Sequence, residues 1–361
     1  MTEILTVQLP ETSAAAPILS FCLPTYKRPT LLKEALRAVL DQIGPEEAAQ
    51  VEILIMDNAS PDDTPQIVEE INQRSPYVPL RYVRNPVNIG MDANFLKGIS
   101  LARGKFVCIL SDDDILLPGA VSKLLGLIQK YPDFGGFCLN VRPFSDDPLA
   151  EAPLRMAIPN DVTLEDRDQA LELMRSSITF LSILAFNKSC ISDRLAAGYY
   201  TDKIGTYSVT GYLFLDVIAA GKGIIAIAQP MVAQRAENTH TLNYFRAFIT
   251  ELTALLDYAE AAGYSRELIR RIKTENLVDA RYFVALVKIY SRQTELWSSR
   301  PDAIRRLFQV YRFRPYLWLV VVPLMFFPRP LRPAVHLVRR LLGRPPIEER
   351  KTAPEKSAVS R

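Results

Sequence analysis

Cysteine is scarce and scattered, with four in 361 residues, Cys22, Cys108, Cys138 and Cys190. They stand too far apart to read as a zinc site or a disulfide frame, and Cys22 and Cys108 fall inside apolar, strand-like runs. They read as small buried side chains in a reducing compartment. An excess of one charge is also missing. A formal net charge of +3 gives no ground for a nucleic-acid partner. The opening segment, residues 1–16, has acids where a secretion signal needs lysines, and it reads as a flexible leader on a cytoplasmic protein. The most apolar stretch near the C-terminus, Tyr316 to Phe327, has twelve residues. A membrane-crossing helix needs roughly 20.

What is present is a large apolar fraction, 48% of residues, enough for a sizeable core. Ile18 to Leu23 reads as a first strand, and PTYKRPTLL turns it into a helix starting near Pro29 or Thr30, with Leu32, Leu36, Val39, Leu40 and Ile43 on one face. VEILIM, from Val51, is a second strand that stops at Asp57. DDTPQIVEEINQR then reads as a helix with Ile67, Val68 and Ile71 inward. LRYVRNP is a third strand, and NIGMDANFLKGISLARG turns at Gly90 into a helix from Ala93 to Ala102. Strand, loop and helix in repetition predict a parallel sheet with crossover helices, whose ligands bind at the carboxyl ends of the strands. Asp57 and Asp113 both fall at such ends.

The organising stretch is KFVCILSDDDILLP, Lys105 to Pro118. A short buried strand, Phe106 to Leu110, runs straight into Asp112, Asp113 and Asp114. Adjacent carboxylates repel one another, so packing does not account for them. One reading is a set of hard oxygen ligands for a divalent cation holding a phosphate. The other is a solvated turn in which Asp114 caps the helix LPGAVSKLLGLIQKY. Likewise Asp57 can be read as a cap for the helix after it, and Asn88 with Gly90 as turn residues.

In family order and at family spacing, PTYKRPTLLKEALRAVLDQ, VEILIMDNASPDDT and NPVNIGMDANFLKGISLARGKFVCILSDDDILLPGAV resemble the family 2 glycosyltransferases over about the first 130 residues. The resemblance implies an α/β fold of the GT-A type, with a Rossmann-like, mostly parallel central sheet flanked by helices. It implies a nucleoside diphosphate-sugar donor, a Mn²⁺ or Mg²⁺ cofactor, and inverting transfer to a hydroxyl of a glycan or lipid-linked glycan acceptor. Carried onto this chain, Pro24, Thr25, Tyr26 and Arg28 line the nucleotide. Asp57 and Asn58 meet the base and ribose, with Asn58 replacing the more usual aspartate. Asn88, Gly90 and Asn94 pass beside the diphosphate. Asp112 and Asp113 form the metal motif, Asp113 being the direct ligand, and Asp114 is a second ligand or an organiser of the sugar. The form SDDD is most similar to members acting on bacterial surface polysaccharide precursors.

Beyond Phe134, GGFCLNVRPF and FLSILAFNKS read as strands, and the sheet is expected to end at Ile227. The Glu-Asp pair that usually supplies the base is not evident. Asp202, in YYTDKIG, is the candidate for that role, with Asp216, inside an apolar helix, as runner-up. The loop from Gln234 to Thr241 is expected to close over the diphosphate, with Arg235 neutralising the leaving group and His240 on the metal or a phosphate. His240 can also be read as part of an ordinary surface loop.

The expected domains are a catalytic region at 17–245, divided at residue 130 into donor and acceptor halves, and a helical extension at 246–300. A basic amphipathic segment follows at 301–344, then a charged, disordered tail at 345–361. The basic segment reads as an interfacial anchor on an anionic membrane surface, at the cytoplasmic face, or as a helical hairpin packed on the catalytic domain or on a second subunit of a homo-oligomer. Two other classes of function stay open, the first of which also uses a strand-end carboxylate and a metal. A nucleotidyltransferase would show a glycine-rich loop after the first strand, and PTYKRPT has no glycine. A non-catalytic scaffold of a polysaccharide assembly complex is the other, suggested by the missing Glu-Asp pair.

Overall fold

The first strand, β1 (Leu19–Thr25), is the hub of the donor half. After it come α1 (Pro29–Leu40), α2 (Pro45–Ala48), β2 (Val51–Asp57), α3 (Thr64–Arg74), β3 (Leu80–Arg84), α4 (Met91–Leu101) and β4 (Phe106–Ile109). This computed structural model describes residues 16–75, 78–220, 223–236, 250–290 and 300–322. β1 pairs in parallel with β2 on one side and β4 on the other, and β2 pairs in parallel with β3. The strands are buried on both faces, as sheets covered by crossover helices require. Phe21, Ile53 and Phe106 join Leu36 of α1 and Val68 of α3 in one core. Leu54, Met56 and Val107 join Ile99 of α4 in the other.

The chain continues through β5 (Ile115–Leu116), α5 (Ala120–Lys130), β6 (Gly136–Phe144), β7 (Val162–Leu164), α6 (Arg167–Met174), β8 (Leu184–Asn187), α7 (Ser192–Ala196), α8 (Val209–Ala220) and β9 (Ile224–Arg235). The sheet order is β3-β2-β1-β4-β8-β6-β9-β5, with β7 added on β9. The expected mostly parallel sheet is therefore corrected to a mixed one. β8 runs antiparallel between β4 and β6, and β5 and β7 are antiparallel to β9. At the β6–β8 contact a Cβ on Gly136 would stand 2.6 Å from the Ala185 carbonyl oxygen, so only glycine fits.

Two strand boundaries also differ from expectation. β9 does not stop at Ile227 but runs on to Arg235, through Pro230. The register with β6 shifts around Asn140, which pairs with Pro230, and a strand tolerates proline at such an irregularity. FLSILAFNKS is strand only from Leu184, because Leu181–Ile183 forms a short helical turn.

The helix α9 (Leu252–Ala261) and the opening turns of α10 (Arg266–Tyr290) complete this first unit, where Leu255 and Ile269 join the α4 side of the core. All four cysteines are free thiols, and burial pushes Cys108 and Cys138 up to about 12. The second unit holds a helix over Arg300–Tyr311 and a π-helical turn over Leu317–Val321. Within it the Phe308 and Trp318 rings lie 5.0 Å apart, while Phe313 and Leu319 are 85% and 76% exposed. Among the described residues no helix is long and apolar enough to cross a membrane. The basic amphipathic stretch after Val322 and the tail lie outside the described residues.

Candidate active site

Parallel pairing brings the ends of β2, β1 and β4 to one rim. Thr25 and Asp57 are register partners, and the acidic triplet follows β4 on the other side of β1. Asp57 is fully buried and caps no helix, because α3 begins only after Asp63. Its carboxylate accepts the Ser60 backbone N–H at 2.8 Å and the Tyr82 hydroxyl at 2.5 Å, with Arg84 Nε 3.5 Å away. Burial and that carboxylate push the Tyr82 phenol up. Two non-glycine residues in this rim adopt left-handed backbone, Lys27 at φ 58° and Ala59 at φ 66°. Such strain is held only where the surroundings fix it. Here the Lys27 N–H donates to Ser60 Oγ at 3.0 Å.

A set of asparagines knits the rim to α4. Asn58 Nδ2 donates to Asn88 Oδ1 at 2.9 Å and to the Gly90 carbonyl at 3.2 Å, and Asn58 Oδ1 accepts from Asn85 and from the Ile89 N–H. Asn94 donates to the Met56 carbonyl and accepts from Asn85. Asn58 is thus committed to shaping the 85–90 segment. Gly90, at φ 86°, makes the turn into the helix. Tyr26, half-exposed above this segment, bonds with Asn88, which lowers its phenol below the usual value.

The triplet has three different environments. Asp112 is buried, accepts the Thr25 hydroxyl at 2.7 Å, and meets Arg28 at 3.2 Å. Burial, opposed by Arg28, brings it up to about 6. Asp114 is buried and accepts the Ser182 hydroxyl at 2.7 Å; burial and then Asp113 push it up to about 8. It caps nothing, since β5 intervenes and Gly119 precedes α5. Asp113 accepts from Ser111 Oγ at 2.5 Å and from Arg28 at 3.1 Å, and it keeps 15% of its side chain exposed. Among the described residues no three His, Cys, Asp or Glu side chains form a closed metal cage. Mg²⁺-type ions at phosphate sites are commonly held by one or two carboxylates plus substrate oxygens, and a partly exposed Asp113 beside Asp112 fits that pattern.

The acceptor-side candidates separate. Asp202 is two-thirds exposed and paired with its neighbour Lys203 at 2.7 Å. Asp216 is buried on α8 and saturated by Arg194 at 2.5 Å and by the Tyr200 and Tyr258 hydroxyls at 2.8 and 2.7 Å. None of these partners belongs to the strand-end cluster. Arg235 closes β9 instead of sitting in a loop. Its guanidinium meets Glu34 at 2.5 Å, lies over the Phe144 ring at 4.7 Å and donates to the Asp113 carbonyl at 3.4 Å. His240 lies outside the described residues. Sequence reading missed Ser182, whose hydroxyl also accepts the Ser111 N–H at 2.9 Å. A lone serine in an apolar run carries no signal of such a task.

A mixed α/β sheet flanked by helices, with acids gathered at one strand-end rim, is a GT-A-like fold. Residues 20–181 match the family model described as Glycosyl transferase family 2. The chain is 38% identical over 118 residues to abequosyltransferase RfbV of Salmonella typhimurium, covering 32% of this chain and 33% of that protein. It is 32% identical over 124 residues to a GalNAc(5)-diNAcBac-PP-undecaprenol beta-1,3-glucosyltransferase of Campylobacter jejuni, covering 34% and 38%. Each match therefore spans about a third of the relative. The fold is similar to S. aureus TarS 1–349 in complex with UDP-GlcNAc, with a TM-score of 0.59 and 14% identity over 81% of this chain and 80% of that one.

Proposed function

We propose that the chain transfers a sugar, with inversion, from a nucleoside diphosphate-sugar to a hydroxyl of a glycan or polyprenyl-linked glycan in bacterial surface polysaccharide synthesis. The observation that carries this reading is the partly exposed Asp113, flanked by two buried acids on the rim that Thr25, Asp57 and the Asn88–Gly90 segment share. The Salmonella abequosyltransferase and the Campylobacter glucosyltransferase, both sugar transferases, support it.

The donor lies along the rim, its nucleoside beside Tyr26 and Asp57 and its diphosphate beside Asn88, Gly90 and Arg28. Mn²⁺ or Mg²⁺, held by Asp113 with Asp112, supplies charge neutralisation for the departing diphosphate when bound. The acceptor oxygen attacks the anomeric carbon as the bond to the diphosphate breaks. The electron pair leaves with the nucleoside diphosphate, and the hydroxyl proton passes to a carboxylate, assigned here to Asp202. Asp114, whose burial favours the protonated form, acts as an organiser. Exposed Phe313 and Leu319 beside Arg312 and Arg314 support attachment to an anionic membrane surface. Co-sedimentation with anionic vesicles, lost in a Phe313→Ser/Leu319→Ser double variant, checks that attachment; binding that the double variant leaves unchanged refutes it.

The donor reading is tested by a thermal-shift screen of UDP-, GDP-, CDP- and dTDP-sugars with and without Mn²⁺. One nucleotide should raise Tm only with metal, and Asp113→Ala should abolish the rise. No response to any of them would favour the scaffold reading.

A further inference from the structure

Asp92 stands on the first turn of α4, two residues after Gly90, and is buried. An acid in a helix's first turn suits the helix dipole. That role does not explain where its carboxylate points. A single oxygen, Oδ2, accepts the Gly205 N–H at 2.8 Å and the Tyr207 N–H at 3.0 Å, more than a hundred residues away in sequence. Tyr207 is itself held at φ 58°, left-handed backbone that a tyrosine rarely adopts. The start of the same segment is fixed by a second buried acid, because Tyr200 donates to Asp216. Between these two anchors lie Asp202 and Ile204, both exposed, so the segment is fastened at its ends and presents its middle to solvent.

Burying carboxylates to hold an exposed turn adds nothing to the core, and desolvating them costs free energy. The other side of the α4 terminus is tied to the donor rim, through Gly90 to Asn58 and through Asn94 to Met56. One helix end therefore contacts both the segment expected beside the diphosphate and the turn carrying the candidate base.

We infer that Asp92 is a positioning residue that fixes the 205–207 turn of the acceptor half to the end of α4, so that filling the donor rim is transmitted to the segment carrying Asp202. The second half of this inference rests on the proposed donor site.

The test is amide hydrogen exchange over 198–208 in the full chain, free and with UDP, GDP, CDP or dTDP plus Mn²⁺, with Tm measured in parallel. Without nucleotide, Asp92→Ala should exchange at Gly205 and Tyr207 about tenfold or more faster, while the β1 and β2 amides stay unchanged. Asp92→Asn, which keeps the shape, should fall between; it also serves if the alanine variant fails to fold. With a nucleotide that raises Tm, the turn should gain protection in the wild type and not in Asp92→Ala, although that variant's Tm still rises. Unchanged exchange at the turn in Asp92→Ala, or acceleration spread evenly over the chain, overturns the positioning role. Nucleotide protection that survives in Asp92→Ala, or that is missing in a wild type whose Tm rises, overturns the transmission. If no nucleotide raises Tm, the donor reading fails and takes the transmission with it, while the free-state comparison still decides the tether.

Discussion

Two groups of buried carboxylates sit in the first unit, and they are built in opposite ways. Asp216 has a charged donor and two hydroxyls, and all of them come from neighbouring elements of its own wall. The strand-end acids are crowded, and Arg28 is the one cation within salt-bridge distance of Asp112 and Asp113 among the described residues. A carboxylate with every acceptor site filled is a strut. A set that repels itself, with one member partly exposed, is eased by added positive charge.

That difference is open to direct attack. Asp113→Ala should lower sugar transfer on the order of 100- to 1000-fold, the scale for losing one transition-state charge contact, with little change in the urea midpoint. Asp216→Ala should do the reverse. Losing the charged partner of Arg194 and two tyrosines should cost about 2–4 kcal/mol in urea unfolding, discounted for an Arg194 that is half-exposed. Equal loss of transfer with no loss of stability in Asp216→Ala would erase the contrast and move the base to Asp216.

A smaller effect sharpens it. Asp114 holds its proton more tightly folded than unfolded, since burial and Asp113 raise it to about 8. Its contribution to stability is fully present below the ordinary carboxylate range and is lost as pH rises through about 8. In chelator, Tm should therefore fall between pH 6 and 9 in the wild type and fall less in Asp114→Asn. Parallel curves for the two proteins would mean that Asp114 is not buried as described.

The donor half was legible in the sequence because three of its four strands, β1, β2 and β4, run into a chemical signal, Thr25, Asp57 and Asp112, and its strand–helix repeats can close in few ways. The acceptor half was not. β8 is four residues long and antiparallel, and no local pattern reports the direction of a strand. Pro230 masked the continuation of β9, because a proline reads as an end unless the partner's irregular register is known. Ser182 and Asp92 were invisible for a related reason. Their tasks are defined by partners 68 and more than a hundred residues away, and a single polar residue at such a distance leaves no periodicity.

In the proposed reaction Asp113 and the rim of β2, β1 and β4 hold a nucleoside diphosphate through a divalent cation. A crystal structure with the stabilising nucleotide and Mn²⁺, phased for the manganese anomalous signal, tests it most directly. The expected result is a manganese peak on the Asp113 carboxylate, with the diphosphate between it and the Asn88–Gly90 segment. A nucleotide bound elsewhere, or a manganese peak away from Asp113, would contradict it.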